Sequence, residues 1–252
     1  MKKTMLLVTC ALLGLSACGG GGGTGGGGAG GGGAPGLPTL NNPAVSDLAT
    51  FAASEGVSST NGSGHDVRTA SYIDGGVQKS ARLVGSQSAG LLEVRTGNRT
   101  RTDFDLVGGD SARSVNHRAY YVGDSSGVVR LGTAQDLQAV TGTAAVGMHT
   151  GTGAWTMGAD LWMDNENGLY VGIDGGVVDG NKMTFPRSQS AIVNMHPLNA
   201  DGFGATRLDE RARADVVFSN DGKDAFGTIF GSNAESGFLV DAGFAATEYT
   251  GN

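Results

Sequence analysis

Apolar and polar residues alternate along much of the second half of the chain. From Trp155 to Met163 the odd positions Trp155, Met157, Ala159, Leu161 and Met163 are apolar, while Thr156, Gly158 and Asp160 take the other side. A period of two sends successive side chains to opposite faces, so this stretch predicts a half-buried strand. Asp164-Asn165-Glu166-Asn167-Gly168 follows, and Leu169, Val171 and Ile173 resume the apolar face. Asn-Gly tolerates positive φ, which makes this a hairpin. Asp221-Gly222 predicts a second hairpin within Ala214–Phe230, joining Asp215–Ser219 to a strand carrying Phe226, Thr228 and Phe230. The last strand sets Phe238, Val240, Ala242, Phe244 and Ala246 on one side and Leu239, Asp241, Gly243 and Ala245 on the other. Roughly eight such strands run from Thr141 to the end, separated by short turns. Eight antiparallel strands suffice to close a barrel, and closure removes exposed sheet edges.

The preceding segment is also strand-like, at Arg68–Ile73, Lys79–Val84, Leu91–Thr96, Arg101–Val107, Arg118–Val122 and Val128–Leu131. A short helix is expected at Asn42–Ser54, with Pro43 near its first turn and Val45, Leu48, Ala49 and Phe51 on one side. The expected fold is all-β: a β-rich, handle-like subdomain over 37–138 precedes an eight-stranded antiparallel barrel over 139–252. Phe226, Phe230, Phe238 and Phe244 pointing inward would fill that barrel. A hollow interior would instead suit a lipocalin-like carrier of a small apolar ligand.

The amino terminus reads differently. Lys2 and Lys3, an apolar run from Met5 to Leu15 and small Ser16 and Ala17 before Cys18 make a secretory signal peptide over 1–17. The run is too short for a membrane-spanning helix, which needs about 20 apolar residues. Leu15-Ser16-Ala17-Cys18 resembles the lipobox of bacterial lipoproteins, and the resemblance implies cleavage before Cys18 and its acylation. Multiple acyl chains give stable anchoring where one does not. Gly19, where an aspartate would resemble the inner-membrane retention signal, favours the outer membrane. Residues 18–36 are then the lipidated cysteine and a glycine-rich tether. That run buries no apolar surface and predicts a random coil spanning roughly 20–25 Å.

Composition narrows the function. The formal charge is −7, or −9 once Lys2 and Lys3 are removed with the leader, which argues against nucleic acid as partner. Cys10 and Cys18 are the only cysteines, so a mature lipoprotein would have no disulfide, no thiol nucleophile and no cysteine zinc site. Hydrophobic residues at 39% and charged ones at 16% suit a folded body.

Near the end, Gly227-Thr228-Ile229-Phe230-Gly231-Ser232-Asn233-Ala234-Glu235-Ser236-Gly237-Phe238 resembles the closing motif of the transferrin-binding protein B barrel. The family comprises surface lipoproteins, with factor H-binding and haem-capturing members. The matched positions are Gly227, Phe230, Gly231, Asn233, Ala234, Glu235, Gly237 and Phe238. Gly231 and Asn233 are expected to accept left-handed backbone there, and Phe238 to re-enter the core. Thr141-Gly142-Thr143 and Gly151–Asp164 look like the barrel's opening strands. The resemblance covers about the last 110 residues. It implies a handle before the barrel and display of the domain from the membrane. The implied function is binding: capture of an iron source, haem or a protein partner through loops of handle and barrel. It does not transfer a particular ligand, and the side of the outer membrane stays open.

Candidate chemistry is sparse. Gly109-Asp110-Ser111 and Gly123-Asp124-Ser125 look like the nucleophile blocks of some hydrolases, yet no Gly-x-Ser-x-Gly elbow accompanies them. A lipid-anchored serine hydrolase would need Ser111 or Ser125 beside a histidine. Turns are the better reading, and no enzyme activity is assigned. His65, His117, His149 and His196 are scattered without metal spacing, and each reads as a surface or loop residue. Haem or iron ligation by one of them with Tyr72, Tyr120 or Tyr121 remains an alternative. Tyr120 and Tyr121 should face opposite sides of one strand. Asp164–Gly168 has enough oxygens for weak calcium binding but reads as a solvated hairpin. No cofactor and no metal site are expected. Trp155 and Trp162 have opposite parity, which predicts one in the core and one outside, where it could anchor a partner.

Overall fold

The computed structural model describes residues 36–97, 102–108, 119–131, 136–148, 154–163, 168–185, 191–196, 206–207, 213–235 and 237–250. The first element is the helix α1, Val45–Glu55, close to the expected span. Leu48, Ala49 and Ala52 form its buried stripe, and Asp47 in its first turn accepts a hydrogen bond from the Ala44 N–H. Its buried side packs on a five-stranded sheet: β1 (Val57–Thr60), β2 (Asp66–Asp74), β3 (Val77–Gly85), β4 (Ala89–Thr96) and β5 (Thr102–Gly108), paired in chain order. Tyr72, Ala81, Leu83 and Leu92 meet the helix from this sheet, and Phe51 approaches Tyr72 edge-on at 6.0 Å. Thr39 bridges to Ile73, which ties the start of the described chain to the outer margin of β2.

The second sheet closes on itself. Its strands are β6 (Tyr120–Arg130), β7 (Gln138–Met148), β8 (Trp155–Trp162), β9 (Gly168–Asp179), β10 (Lys182–Thr184), β13 (Arg213–Phe218), β14 (Asp224–Asn233) and β15 (Phe238–Glu248). Each pairs antiparallel with the next, and β15 returns to β6. The fold is therefore an eight-stranded antiparallel barrel with a separate five-stranded sheet, as the alternation predicts. Two short strands, β11 (Ala191–His196) and β12 (Thr206–Arg207), extend from the first half of β9, while its second half pairs with β10. The register shifts between Trp155 and Thr156, opposite the stretch of β9 where Gly175 takes φ +83°.

Strand β6 corrects the sequence reading. It belongs to the barrel, not to the handle, and is one strand rather than two. Asp124, Ser125 and Ser126 interrupt its apolar pattern. Gly123 and Gly127 hold the run together, because a Cβ at either would lie 2.0 Å or 2.3 Å from a β15 carbonyl oxygen.

The barrel is filled. Tyr121, Val146, Trp155, Met157, Leu161, Leu169, Val171, Phe218, Ile229, Val240 and Phe244 are among the buried side chains that make one core. Trp155 is inside and Trp162 exposed, as their parity predicts. Of the four phenylalanines that would fill the barrel by pointing inward, only Phe238 and Phe244 are in this core. Phe226 and Phe230 share the opposite face of β14. Phe226 packs under the handle with Val67, Val84, Leu91 and Ala245, and Phe230 lies beneath Arg213. The handle sheet is thus apolar on both faces, one toward α1 and one toward the barrel.

Candidate functional site

The interior is occupied. Among the described residues, three outer places bring polar groups together. The first is a cleft of about 290 Å³ between β5 of the handle and β10, β13 and β14 of the barrel. Phe104 and Leu106 form its handle wall, with Thr184, Val217 and Thr228 opposite. Asp105, Lys182, Arg213 and Asp215 supply charge. Asp105 keeps solvent access, but the crowding cleft walls desolvate its carboxyl and raise it above the usual carboxylate range. Asp215 is half-buried and raised for the same reason, against the pull of the Arg213 guanidinium. Arg213 stacks 5.4 Å from the Phe230 ring centre, across the pair Arg213–Phe230.

The second place is the seam corner at the β1–β2 turn. His65 is buried, with its backbone N–H donating to Asn61 Oδ1 at 2.8 Å. That bond orients the Asn61 amide so that Nδ2 faces ring Nδ1 at 3.3 Å, which leaves the ring proton on Nε2. Nε2 lies 3.3 Å from Asp224 Oδ1 but is too poorly aligned for a hydrogen bond. The ring also meets Phe226 at 5.2 Å. Ser63 Oγ accepts the Asp124 N–H at 3.1 Å, so this turn docks on β6 as well. His65 is therefore a loop residue, one half of the surface-or-loop expectation, but a buried one packed at the junction.

The third place is an outer trough of about 450 Å³ on β6 to β9. Its floor follows from register, since Ala145 pairs with Val122 and Gly158, and Gly158 with Gly172. Rows of larger residues flank this row of small ones. Tyr120 lies over its cross-strand partner Gly147, and Tyr170 lies against both Gly158 and Gly172. Asp160, Asp174, Thr143 and Thr156 complete the lining. Burial raises the Tyr170 hydroxyl above its usual range, and the charges of Asp160 and Asp174 add to the rise.

The residues singled out in the sequence do not converge. Tyr121 is buried and its hydroxyl donates to the Gly222 carbonyl at 2.7 Å, whereas Tyr120 is exposed beside Tyr249. Tyr72 sits under α1. Ser125 is buried, and its hydroxyl donates to the Gly243 carbonyl at 3.3 Å, which removes it from the hydrolase reading. In the closing motif Gly227, Phe230, Gly231 and Asn233 are strand residues, and Asn233 pairs with Phe238. Among the described residues of the motif the left-handed one is Gly237, at φ +72°, not Gly231 or Asn233. Its carbonyl accepts Arg130 Nε at 3.1 Å, while Ala234 and Glu235 are exposed in the turn. Cys18, His117, His149, Ser111 and the 164–167 turn lie outside the described residues, as does the side chain of His196. Among the described residues no group of three or more His, Cys, Asp or Glu is placed to hold a metal. Apart from Tyr120, the cleft and trough residues are not legible as a site in the sequence because they lie far apart in the chain. The only local signal is paired charge at two-residue spacing, in Asp103 with Asp105 and Arg213 with Asp215.

The sequence matches no model of a known protein family and no curated protein. Its fold is nevertheless similar to solved structures of transferrin-binding protein B (TbpB). A double mutant of the vaccine antigen TbpB from Haemophilus parasuis Hp5 aligns over 74% of this chain, with TM-score 0.50 and 12% identity. Intact Ap-TbpB, with its N and C lobes, aligns over 72% at TM-score 0.47 and 14% identity. The isotype 1 protein of serogroup B Neisseria meningitidis aligns over 72% at 0.44 and 14%. These alignments take in 38%, 38% and 35% of the respective TbpB chains, so this chain matches little more than a third of each. At such identity the likeness is one of fold, and the chain has a TbpB-like handle-and-barrel architecture.

Proposed function

We propose that this chain is a lipid-anchored binding protein of the outer membrane or cell surface, engaging a protein partner through outer surfaces of handle and barrel. The observation that carries the reading is the filled barrel. A core containing Trp155, Tyr121, Phe218, Phe238 and Phe244 leaves no room for a lipocalin-like ligand, so recognition falls to the exterior. The TbpB-like fold supports a binding role. Transferrin binding belongs to the name of those proteins. It is not carried to a chain that spans so little of them. Of the haem-ligand candidates, His65, Tyr72 and Tyr121 are enclosed by packing while Tyr120 is exposed, so the protein partner is put forward first and haem is tested beside it. Binding is put before catalysis on the fold; of the two candidate serines, Ser125 is buried with its hydroxyl on the Gly243 carbonyl, and Ser111 lies outside the described residues.

The tether is the other half of the proposal. Acylated Cys18 would hold the domain at the membrane, and residues 19–36 would set it off from the headgroups. Metabolic labelling with an alkyne palmitate tests the anchor: label is expected on the wild type and absent from Cys18→Ala. Protease shaving of intact cells tests display, with loss of the domain expected before the outer membrane is opened. Haem titration of the purified chain is expected to give no saturable change in the Soret band. An unlabelled wild type removes the anchor, and saturable haem binding replaces the protein partner.

A further inference from the structure

We infer that the outer trough on β6 to β9 receives a basic segment of a partner protein, seating a lysine or arginine over the Tyr120 and Tyr170 rings with Asp174 as counter-ion. This rests on the binding-protein reading above and names the chemistry of the partner.

Among the described residues, position leaves the trough uncovered. The handle covers the barrel at β13 to β15, where Val217, Phe226 and Ala245 pack against it, whereas the trough lies on β6 to β9. Shape comes from glycine. A Cβ at Gly158 would sit 2.6 Å from the Tyr170 hydroxyl, and one at Gly172 2.9 Å from the same ring. Tyr170 can therefore lie down on the sheet only because both positions lack a side chain. Gly147 does the same for Tyr120, with 2.5 Å to its ring. Two phenol rings are thus held against the backbone beside a recess, where they can contact a guest.

Charge selects that guest. Among the described residues the lining contains Asp160 and Asp174 and no lysine, arginine or histidine. Two carboxylates and two π-faces attract a cation and repel phosphate, sulfate and carboxylate groups. A neutral sugar chain would also stack on tyrosine. Beyond that stacking, a neutral sugar gains only hydrogen bonds from this lining, whereas a cation also gains the attraction of the carboxylates, so the cation is favoured. Asp174 is exposed and free to approach an incoming ammonium or guanidinium group, and its charge already reaches Tyr170.

The test titrates the full chain, held in non-ionic detergent, with oligo-arginine, oligo-lysine, oligo-glutamate and a malto-oligosaccharide, read by calorimetry. The basic peptides are expected to bind and the other two not to. Tyr170→Leu removes the π-face while keeping an apolar side chain, and is expected to weaken oligo-arginine binding about three- to tenfold. Tyr170→Phe keeps the face and should bind within about twofold of wild type. Asp174→Asn should weaken binding comparably and flatten its dependence on salt between about 50 and 200 mM. Asp66→Asn, on the handle, should change nothing. Circular dichroism and melting temperature check that each variant is folded. If Tyr170→Leu is not, Tyr170→Phe and Asp174→Asn carry the decision. The inference is overturned by a wild type that ignores basic peptides, by equal loss in Asp66→Asn, or by sugar binding that Tyr170→Leu abolishes. A chain that is acylated at Cys18 and displayed yet ignores basic peptides overturns this inference alone.

Discussion

At the scale of single residues, the recurring device is a ring laid over a cross-strand glycine. Phe244 covers Gly227 inside the barrel, Tyr120 covers Gly147 outside it, and Trp162 covers Gly168 at its end. Each glycine leaves its partner strand's aromatic side chain free to fold down onto bare backbone. The core pair is the most demanding, because a Cβ at Gly227 would lie 2.1 Å from the Phe244 ring. Gly227→Ala is expected to cost about 1–3 kcal/mol of stability by overpacking, read from urea denaturation. Tyr121 offers a second measurement. Burial, together with the charges of Glu248, Asp224 and Asp221, pushes its hydroxyl up from 10.0 to about 12. A folded-state value above the unfolded one stabilises fully below the unfolded value, and that contribution disappears as pH rises through the folded one. Tyr121 should therefore favour folding below pH 10.0 and lose that contribution toward pH 12. Tyr121→Phe should lower stability by about 1 kcal/mol at neutral pH, since it orphans the Gly222 carbonyl. Its stability should also fall less steeply than the wild type's above pH 10, measured by unfolding at successive pH values.

Elements were legible where one face is apolar and the other is not. The alternation around Trp155–Leu161, Leu169–Ile173 and Phe238–Ala246 matches these strands and their inward faces, because the inward side is consistently apolar while the outer side is polar or small. It failed where both faces are covered or where the core face is small. Phe226 reads as an inward residue because sequence cannot tell a barrel core from a handle interface, and both are apolar. In β6 the core face includes Gly123, Ser125 and Gly127, so the strand shows no apolar rhythm and its place in the barrel was hidden. The cleft was illegible for a different reason: β5, β10 and β13 converge only in three dimensions. Its carboxylates give a prediction with a definite sign. Asp215 is raised above its ordinary 3.8, so its charge is a burden on the folded state that acid relieves. Asp215→Asn is expected to stabilise the protein at pH 7. Its advantage should shrink as pH falls through the carboxylate range, followed by thermal unfolding at each pH. An advantage that grows toward acid would show that Arg213 outweighs burial at this site.

For the body from Leu37 onward, the governing feature is a sheet that has no free apolar face. The handle gives Tyr72, Leu83 and Leu92 to α1, and Val67, Val84 and Leu91 to the barrel. Separating the two subdomains would expose the second set together with Phe226, Val217 and Ala245, and burial of apolar surface is what opposes that. Handle and barrel should therefore unfold in one transition, with coincident curves by near-ultraviolet circular dichroism and tryptophan fluorescence. Trp155 and Trp162 both lie in the barrel, so fluorescence reports that part alone. The interface can be wedged at one point. Gly243 faces the handle, where a Cβ would come within 2.6 Å of Phe104 and 2.8 Å of Leu91. Gly243→Leu is expected to push the handle away while leaving the inward face of β15 intact. The consequence should be a split into two transitions, with α1 and the five-stranded sheet melting first and tryptophan fluorescence unchanged until the second. A single transition, merely shifted to lower temperature, would mean that the barrel cannot hold its closure without the sheet packed against it. The two would then fold as one body, and the handle would be a structural part of the barrel wall rather than an appendage free to specialise in binding.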